Sequence, residues 1–150
     1  MTDFSYRQRV ILAIILCTVT TGMGIWNWLY KPHAFIVPRE MASDFLKLVH
    51  KHEFEKAHAL TLKNSYTGQS LEAFKEVAAQ QICSDQLKQT SLHPLQTNAN
   101  RLRRQFNDLE VEMPALHIEF IGPETCLFKI TLHHIGNGNW KIFKFGSHAG

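Results

Sequence analysis

Charge is absent from Val10 through Tyr30, VILAIILCTVTTGMGIWNWLY, and returns at Lys31. At about 1.5 Å of rise per residue, a helix over this run covers roughly the 30 Å hydrocarbon core of a bilayer. Its C-terminal end carries Trp26, Trp28 and Tyr30, with Lys31 just beyond. Indole and phenol rings favour the headgroup level, and a lysine there reaches phosphates, so these four residues form the expected membrane-interface belt. The pattern predicts a tail over 1–9, a transmembrane anchor over 10–30, a linker over 31–38 and one soluble domain over 39–150. Pro32 and Pro38 frame an extended apolar piece, His33-Ala34-Phe35-Ile36-Val37. About eight linker residues reach at most ~28 Å, which keeps the domain near the bilayer.

Two other readings compete for the apolar run. Arg7 and Arg9 resemble the basic n-region of a signal peptide, and Gly22 and Gly24 are small enough for a peptidase site. The run continues through Ile25 to Tyr30, past where a signal h-region stops, which favours an uncleaved anchor. A lipoprotein reading of Cys17 meets the bulky Leu16 where a small residue is expected. The basic excess at the N-terminal end over Lys31 and Arg39 is small. A short tail before a larger domain fits a signal-anchor in a cell inner membrane, N-terminus cytoplasmic and domain periplasmic. Small residues at spacing four (Ala13, Cys17, Thr21) offer a helix-pairing stripe, though small residues are common in membrane helices.

Beyond the linker, the apolar period first fits helices. Ala42, Phe45, Leu46 and Val49 make one face of a helix running from Glu40 to about Lys63, with a break near His50–Glu53. Phe54, Ala57, His58, Leu60 and Thr61 continue a shorter amphipathic turn. Asn64 to Gly68 is loop by composition. Ser70 suits an N-cap, with Glu72 favourable to the helix dipole, and Leu71, Phe74, Val77, Ala78 and Ile82 form the face that follows, ending near Cys83. Residues 84–100 lack a clear pattern and suggest at most a short strand over Gln86–Thr90. Arg101–Phe106 fits either a short helix or a strand.

The period then switches to two. Leu116, Ile118 and Phe120 alternate with His117 and Glu119; Cys126, Phe128, Ile130 and Leu132 alternate with Lys129, Thr131 and His133. Asn137-Gly138 is a preferred pair for a type I′ turn. A hairpin centred there pairs Ile135 with Trp140, Leu132 with Phe143 and Ile130 with Phe145. That register places Phe128, Ile130, Leu132, Phe143 and Phe145 on one face, for the preceding helices to cover. The expected fold class is therefore α+β: a transmembrane helix, then amphipathic helices packed on a curved antiparallel sheet that ends in a β-hairpin.

Composition adds limits. The net charge of +3 is mild and argues against a nucleic-acid binder. Ten phenylalanines supply a core. Cys83 and Cys126 are a possible disulfide, worth about 3–4 kcal/mol by chain entropy in an oxidising compartment; the alternative is two buried thiols. No CxxC occurs. Nine histidines invite a metal reading, but His133 and His134 point to opposite strand faces and no HExxH appears, so neither a metal site nor a cofactor is expected. His117, Glu119, Lys129 and His133 share the polar strand face and are the candidate ligand-binding set. They would serve an acid–base pair only if enclosed, and the inferred core face holds no acid, so no catalytic residue is assigned. Arg101, Arg103 and Arg104 are the candidates for contact with a partner or lipid; Asp108, Glu110 and Glu112 stand nearby to balance them.

Phe45-Leu-Lys-Leu-Val-His-Lys-His-Glu-Phe-Glu-Lys-Ala-His-Ala-Leu60 resembles the opening helix pair of nuclear transport factor 2-like domains, with His58 where that pattern has an aromatic. Ser70-Leu71-Glu72-Ala73-Phe74 is similar to the third helix of small bacterial members, and the final hairpin also fits. The resemblance covers about residues 40–146 and rests on spacing rather than a signature motif; the family's first and second strands are not evident. It implies an α+β cone, used in some bacterial members as an anchored assembly part and in others as an enzyme. The function expected from all of this is a single-pass, extracytoplasmic interaction module without catalysis. Its partners would be the lipid bilayer and another membrane or periplasmic protein, or a second copy. The alternative is a small-ligand-binding or enzymatic cup.

Overall fold

The computed structural model describes residues 5–106, 115–123 and 126–148; Asp108, Glu110 and Glu112 lie outside the described residues. The chain forms two compact units, residues 1–33 with 96–110, and residues 34–95 with 111–150.

The first unit contains α1 (Tyr6–Tyr30) and α5 (Asn98–Phe106). No residue of α1 is buried; Leu29 is half-buried and its other aliphatic side chains are exposed. Its threonine hydroxyls are satisfied within the helix: Thr18 donates to the Ile15 carbonyl at 2.8 Å, Thr20 to Leu16 at 2.9 Å and Thr21 to Cys17 at 2.7 Å. Such back-bonding removes the cost of placing a hydroxyl in an apolar medium. The helix is long and apolar enough to cross a membrane. At its end the Trp26 and Tyr30 rings lie 4.5 Å apart. The segment over Arg101–Phe106 is helical, resolving the two alternatives open in the sequence.

The second unit is α+β. Three helices, α2 (Ile36–His50), α3 (Phe54–Ala59) and α4 (Leu71–Gln81), precede the strands β1 (Lys88–His93), β2 (Leu116–Ile121), β3 (Leu127–His134) and β4 (Trp140–His148). These form an antiparallel sheet in chain order that does not close. The expected helix from Glu40 starts earlier, at Ile36, so the linker's apolar piece is not extended throughout. Pro38 sits in the first turn, where its missing N–H has no intrahelical partner to lose, and it is buried. β1 covers Lys88–His93 rather than Gln86–Thr90.

Ala42, Phe45, Leu46 and Val49 of α2 and Phe74 and Ala78 of α4 are buried as their spacing requires. Ser70 caps α4, its hydroxyl accepting from the Ala73 N–H at 3.2 Å. Phe74 is the hub: its ring centroid lies 6.1 Å from Phe45, 6.4 Å from Phe54, 5.2 Å from His58 and 5.9 Å from Phe145. His58 is buried, and its Nε2 lies 3.0 Å from the Gly68 carbonyl oxygen. The core accommodates this polar ring because the loop supplies its hydrogen-bond partner. On the sheet, Leu116, Ile118, Phe120, Phe128, Ile130 and Leu132 face this core.

The final hairpin corrects the expected register. Asn137 and Gly138 have φ of 50° and 75°, and the Asn139 N–H donates to the Gly136 carbonyl at 2.9 Å, as a type I′ turn requires. However, Gly136 also takes a positive φ of 91°, and the Ile135 N–H donates to Asn139 at 2.9 Å. This uses one extra residue on the β3 side, so His134 pairs with Trp140, not Ile135. The register shifts back between Thr131 and Leu132: Leu132 pairs with Ile142, Thr131 with Lys144, and Phe143 is the extra residue. Ile130 and Phe145 pair as expected. Trp140 and Ile142 are thus buried, and Phe143 leaves the core face on which the regular register put it.

Candidate functional site

The sheet face away from the core carries the polar set. Pairing across the strands places His117 opposite Thr131, Glu119 opposite Lys129, and Ser91 opposite Glu119. His117 Nδ1 lies 3.0 Å from Thr131 Oγ1. The Ser91 hydroxyl donates to Glu119 Oε2, and Lys129 Nζ stands 4.0 Å from Glu119 Oε1.

An open groove of about 780 Å³ runs over this face. His117, Lys129, Thr131 and His133 form its floor; Tyr66, Phe143 and Lys144 form one wall; Val77 and Gln81 of α4 border the far end of β4. Three of the four expected ligand-binding residues, His117, Lys129 and His133, line it. Glu119 does not; it is held at the side by Ser91. Among the described lining residues none is an aspartate or glutamate, and Lys129 and Lys144 bring positive side chains to the groove. Among the described residues, Phe45, Phe74, Phe128 and Phe145 fill the layer between helices and sheet.

The walls come from features that periodicity does not reveal. The bulge turns Phe143 outward, where it stacks on His133 with centroids 4.2 Å apart and planes at 9°. Asn64 holds the 64–68 loop against it: Asn64 Nδ2 donates to the Phe143 carbonyl at 2.9 Å, and Asn64 Oδ1 accepts from the Tyr66 N–H at 2.8 Å. Tyr66 thereby packs 5.4 Å from Phe143, with Lys144 Nζ 5.0 Å over its ring. At the other end, the Gln81 side chain reaches Gly146: a Cβ there would lie 2.7 Å from Gln81 Oε1, a crowding that the flexible glutamine can relieve. An Asn-initiated turn was readable as loop, but not its seat on β4.

The electrostatics separate the two titrating groups. His117 is held below the ordinary histidine value, first by burial of its ring and then by repulsion from the neighbouring Lys129 and His133; Glu119 opposes this. Glu119 is held below the ordinary carboxylate value, first by the Ser91 hydrogen bond, then by His93, Lys129 and His117. The imidazole therefore gives up its proton more readily than an ordinary histidine, and Lys129 and Lys144 bring positive side chains to the groove. The arrangement suits capture of an anion that also presents a flat apolar surface to Phe143 and Tyr66.

The remaining candidates lie elsewhere. Trp26, Trp28 and Tyr30 are exposed at the end of α1, followed by Lys31. Arg101 and Arg103 are exposed on α5; Arg104 is half-buried and donates to Gln96 Oε1. Cys83 and Cys126 are joined in a disulfide with Cα atoms 5.9 Å apart. Among the described residues, no three His, Cys, Asp or Glu side chains converge as a metal site would need.

No protein-family model, curated protein or solved structure matches this chain.

Proposed function

We propose that this chain is a single-pass, membrane-anchored interaction module, its C-terminal domain periplasmic, that uses the sheet groove to dock an acidic segment of a neighbouring protein. The observation that carries the anchoring is α1: an apolar helix with no residue buried and every threonine hydroxyl bonded inside the helix. Water is a poor solvent for that surface. Lys129 and Lys144 beside the aromatic wall of the groove support docking of an acidic partner, and the Cys83–Cys126 bond supports an oxidising compartment. The order of three helices followed by an antiparallel meander supports a nuclear transport factor 2-like origin for the second unit.

The test is crosslinking of the full-length chain in intact membranes from photoreactive positions at Phe143 and Lys144. A discrete adduct, a partner or a second copy, is expected from these sites and not from exposed positions on α2. Release of the protein by alkaline carbonate would overturn the anchoring, and an absence of adducts would overturn the docking. A second reading, a small-ligand or enzymatic cup, is favoured by His117 lying beside Thr131 and Lys129 within one groove. Thermal stabilisation by a small aromatic carboxylate, abolished in Lys129→Met, would support that reading over a protein partner.

A further inference from the structure

We propose that α5 is a binding site for anionic phospholipid headgroups at the belt end of α1, with Arg101 and Arg103 on the lipid phosphates. The proposal rests on the reading of α1 as a membrane span. Three contacts fix the start of α5 to the end of that helix. Asn98 Nδ2 donates to the Trp28 carbonyl at 2.8 Å, the His33 N–H donates to the Gln96 carbonyl at 2.7 Å, and Pro32 pairs with Thr97. Trp28 is part of the aromatic belt, so Asn98 stands at the level where indole rings meet headgroups.

Arg101 follows Asn98 by less than one helical turn, and all of α5 spans only about 13 Å. An arginine there lies within side-chain reach of the phosphate layer. The helix, NANRLRRQF, contains no acid, and Arg101 and Arg103 are exposed. Ala99, Leu102 and Phe106 follow one another at spacings of three and four and make an apolar stripe, with Phe106 exposed. A short helix with arginines beside such a stripe is the composition of an interfacial segment, apolar side toward the acyl boundary and guanidinium groups toward phosphate. Arg104 is engaged differently, since its bond to Gln96 ties α5 to the segment that pairs with His33.

The test is lipid retention by the full-length protein, released from vesicles of phosphatidylcholine and phosphatidylglycerol and measured by native mass spectrometry. Wild type is expected to retain phosphatidylglycerol in preference, and Arg101→Gln/Arg103→Gln to lose about 30-fold in that preference. Arg101→Lys/Arg103→Lys should keep most of it. Equal retention of the two lipids by wild type, or an unchanged preference in the Gln variant, would overturn the proposal. Displacement of phosphatidylglycerol by inorganic phosphate would also overturn it, in favour of a free-anion site. Resistance to alkaline carbonate, measured on the same variants, reports α1 alone, so a failure of the anchor and a failure of the lipid site are distinguishable.

Discussion

Replacing Ile142 or Phe143 by glutamine tests the hairpin register. In the structure Ile142 is 0% exposed and Phe143 lies on the groove face, stacked on His133. Burying an isoleucine contributes about 1.5–3 kcal/mol. A buried amide without a partner costs about 1–3 kcal/mol more, so Ile142→Gln should lose roughly 3–5 kcal/mol. Phe143→Gln gives up part of one ring's burial and its aromatic contacts, the latter about 0.5–1.5 kcal/mol, while its amide reaches water. Its loss should be about 1–2 kcal/mol. At 4–8 °C per kcal/mol for a domain of this size, the two melting temperatures should differ by roughly 10 °C or more. Far-UV circular dichroism of the full chain in detergent micelles measures this without reductant, since α1 contributes a constant signal. If Phe143→Gln is as damaging as Ile142→Gln, Phe143 is in the core, the bulge is absent, and the aromatic wall of the groove goes with it.

Gly68 has a φ of 83°, and a Cβ there would lie 2.4 Å from the Phe74 nitrogen; Gly68→Ala should cost roughly 2 kcal/mol or more by chemical denaturation. Without reductant a thiol reagent should label only Cys17 in the denatured chain, and Cys83→Ser/Cys126→Ser should lose about 3–4 kcal/mol. Labelling of all three thiols would remove the argument for an oxidising compartment. For His117, whose folded value lies below the ordinary 6.5, the unfolded chain takes the proton first. Its contribution is therefore complete above pH 6.5 and falls as the pH drops toward the folded value; subtracting the profile of His117→Asn from that of wild type should isolate this slope. Glu119 acts in a lower window: its stabilisation is present above 4.5 and is lost as the pH falls through its depressed value, a loss that Ser91→Ala should reduce.

The core was legible where a single period ran without interruption. Ala42, Phe45, Leu46 and Val49 announce α2 at helical spacing, and Leu116, Ile118 and Phe120 announce β2 by alternation. Ser70 announces the start of α4 through the hydrogen bond that it makes. The polar floor of the groove was legible for the same reason, since His117, Lys129 and His133 are the other half of those alternations. Three things were not. The start of α2 hid behind Pro38, which looks like a helix breaker unless its place in the first turn is known. β1 carries an irregularity between Gln89 and Ser91, which spoils its alternation. Phe143 reads as core from the regular hairpin register, and only the pairing of Leu132 with Ile142 moves it outside.

The two irregularities of the hairpin are best understood as one device. Gly136 adds a residue on the β3 side of the turn, which by itself would shift the rest of β4 by one position and turn Phe145 away from Phe74. Phe143 adds a residue on the β4 side and restores the register before Phe145 is reached. Between them, Trp140 and Ile142 enter the core, which gains two large side chains near the turn. The compensation also leaves one aromatic ring without a place inside. That ring, against His133 and Tyr66, becomes the wall of the groove. The packing of the core and the shape of the candidate site thus follow from the same pair of inserted residues, and a change that regularised the hairpin would alter both together.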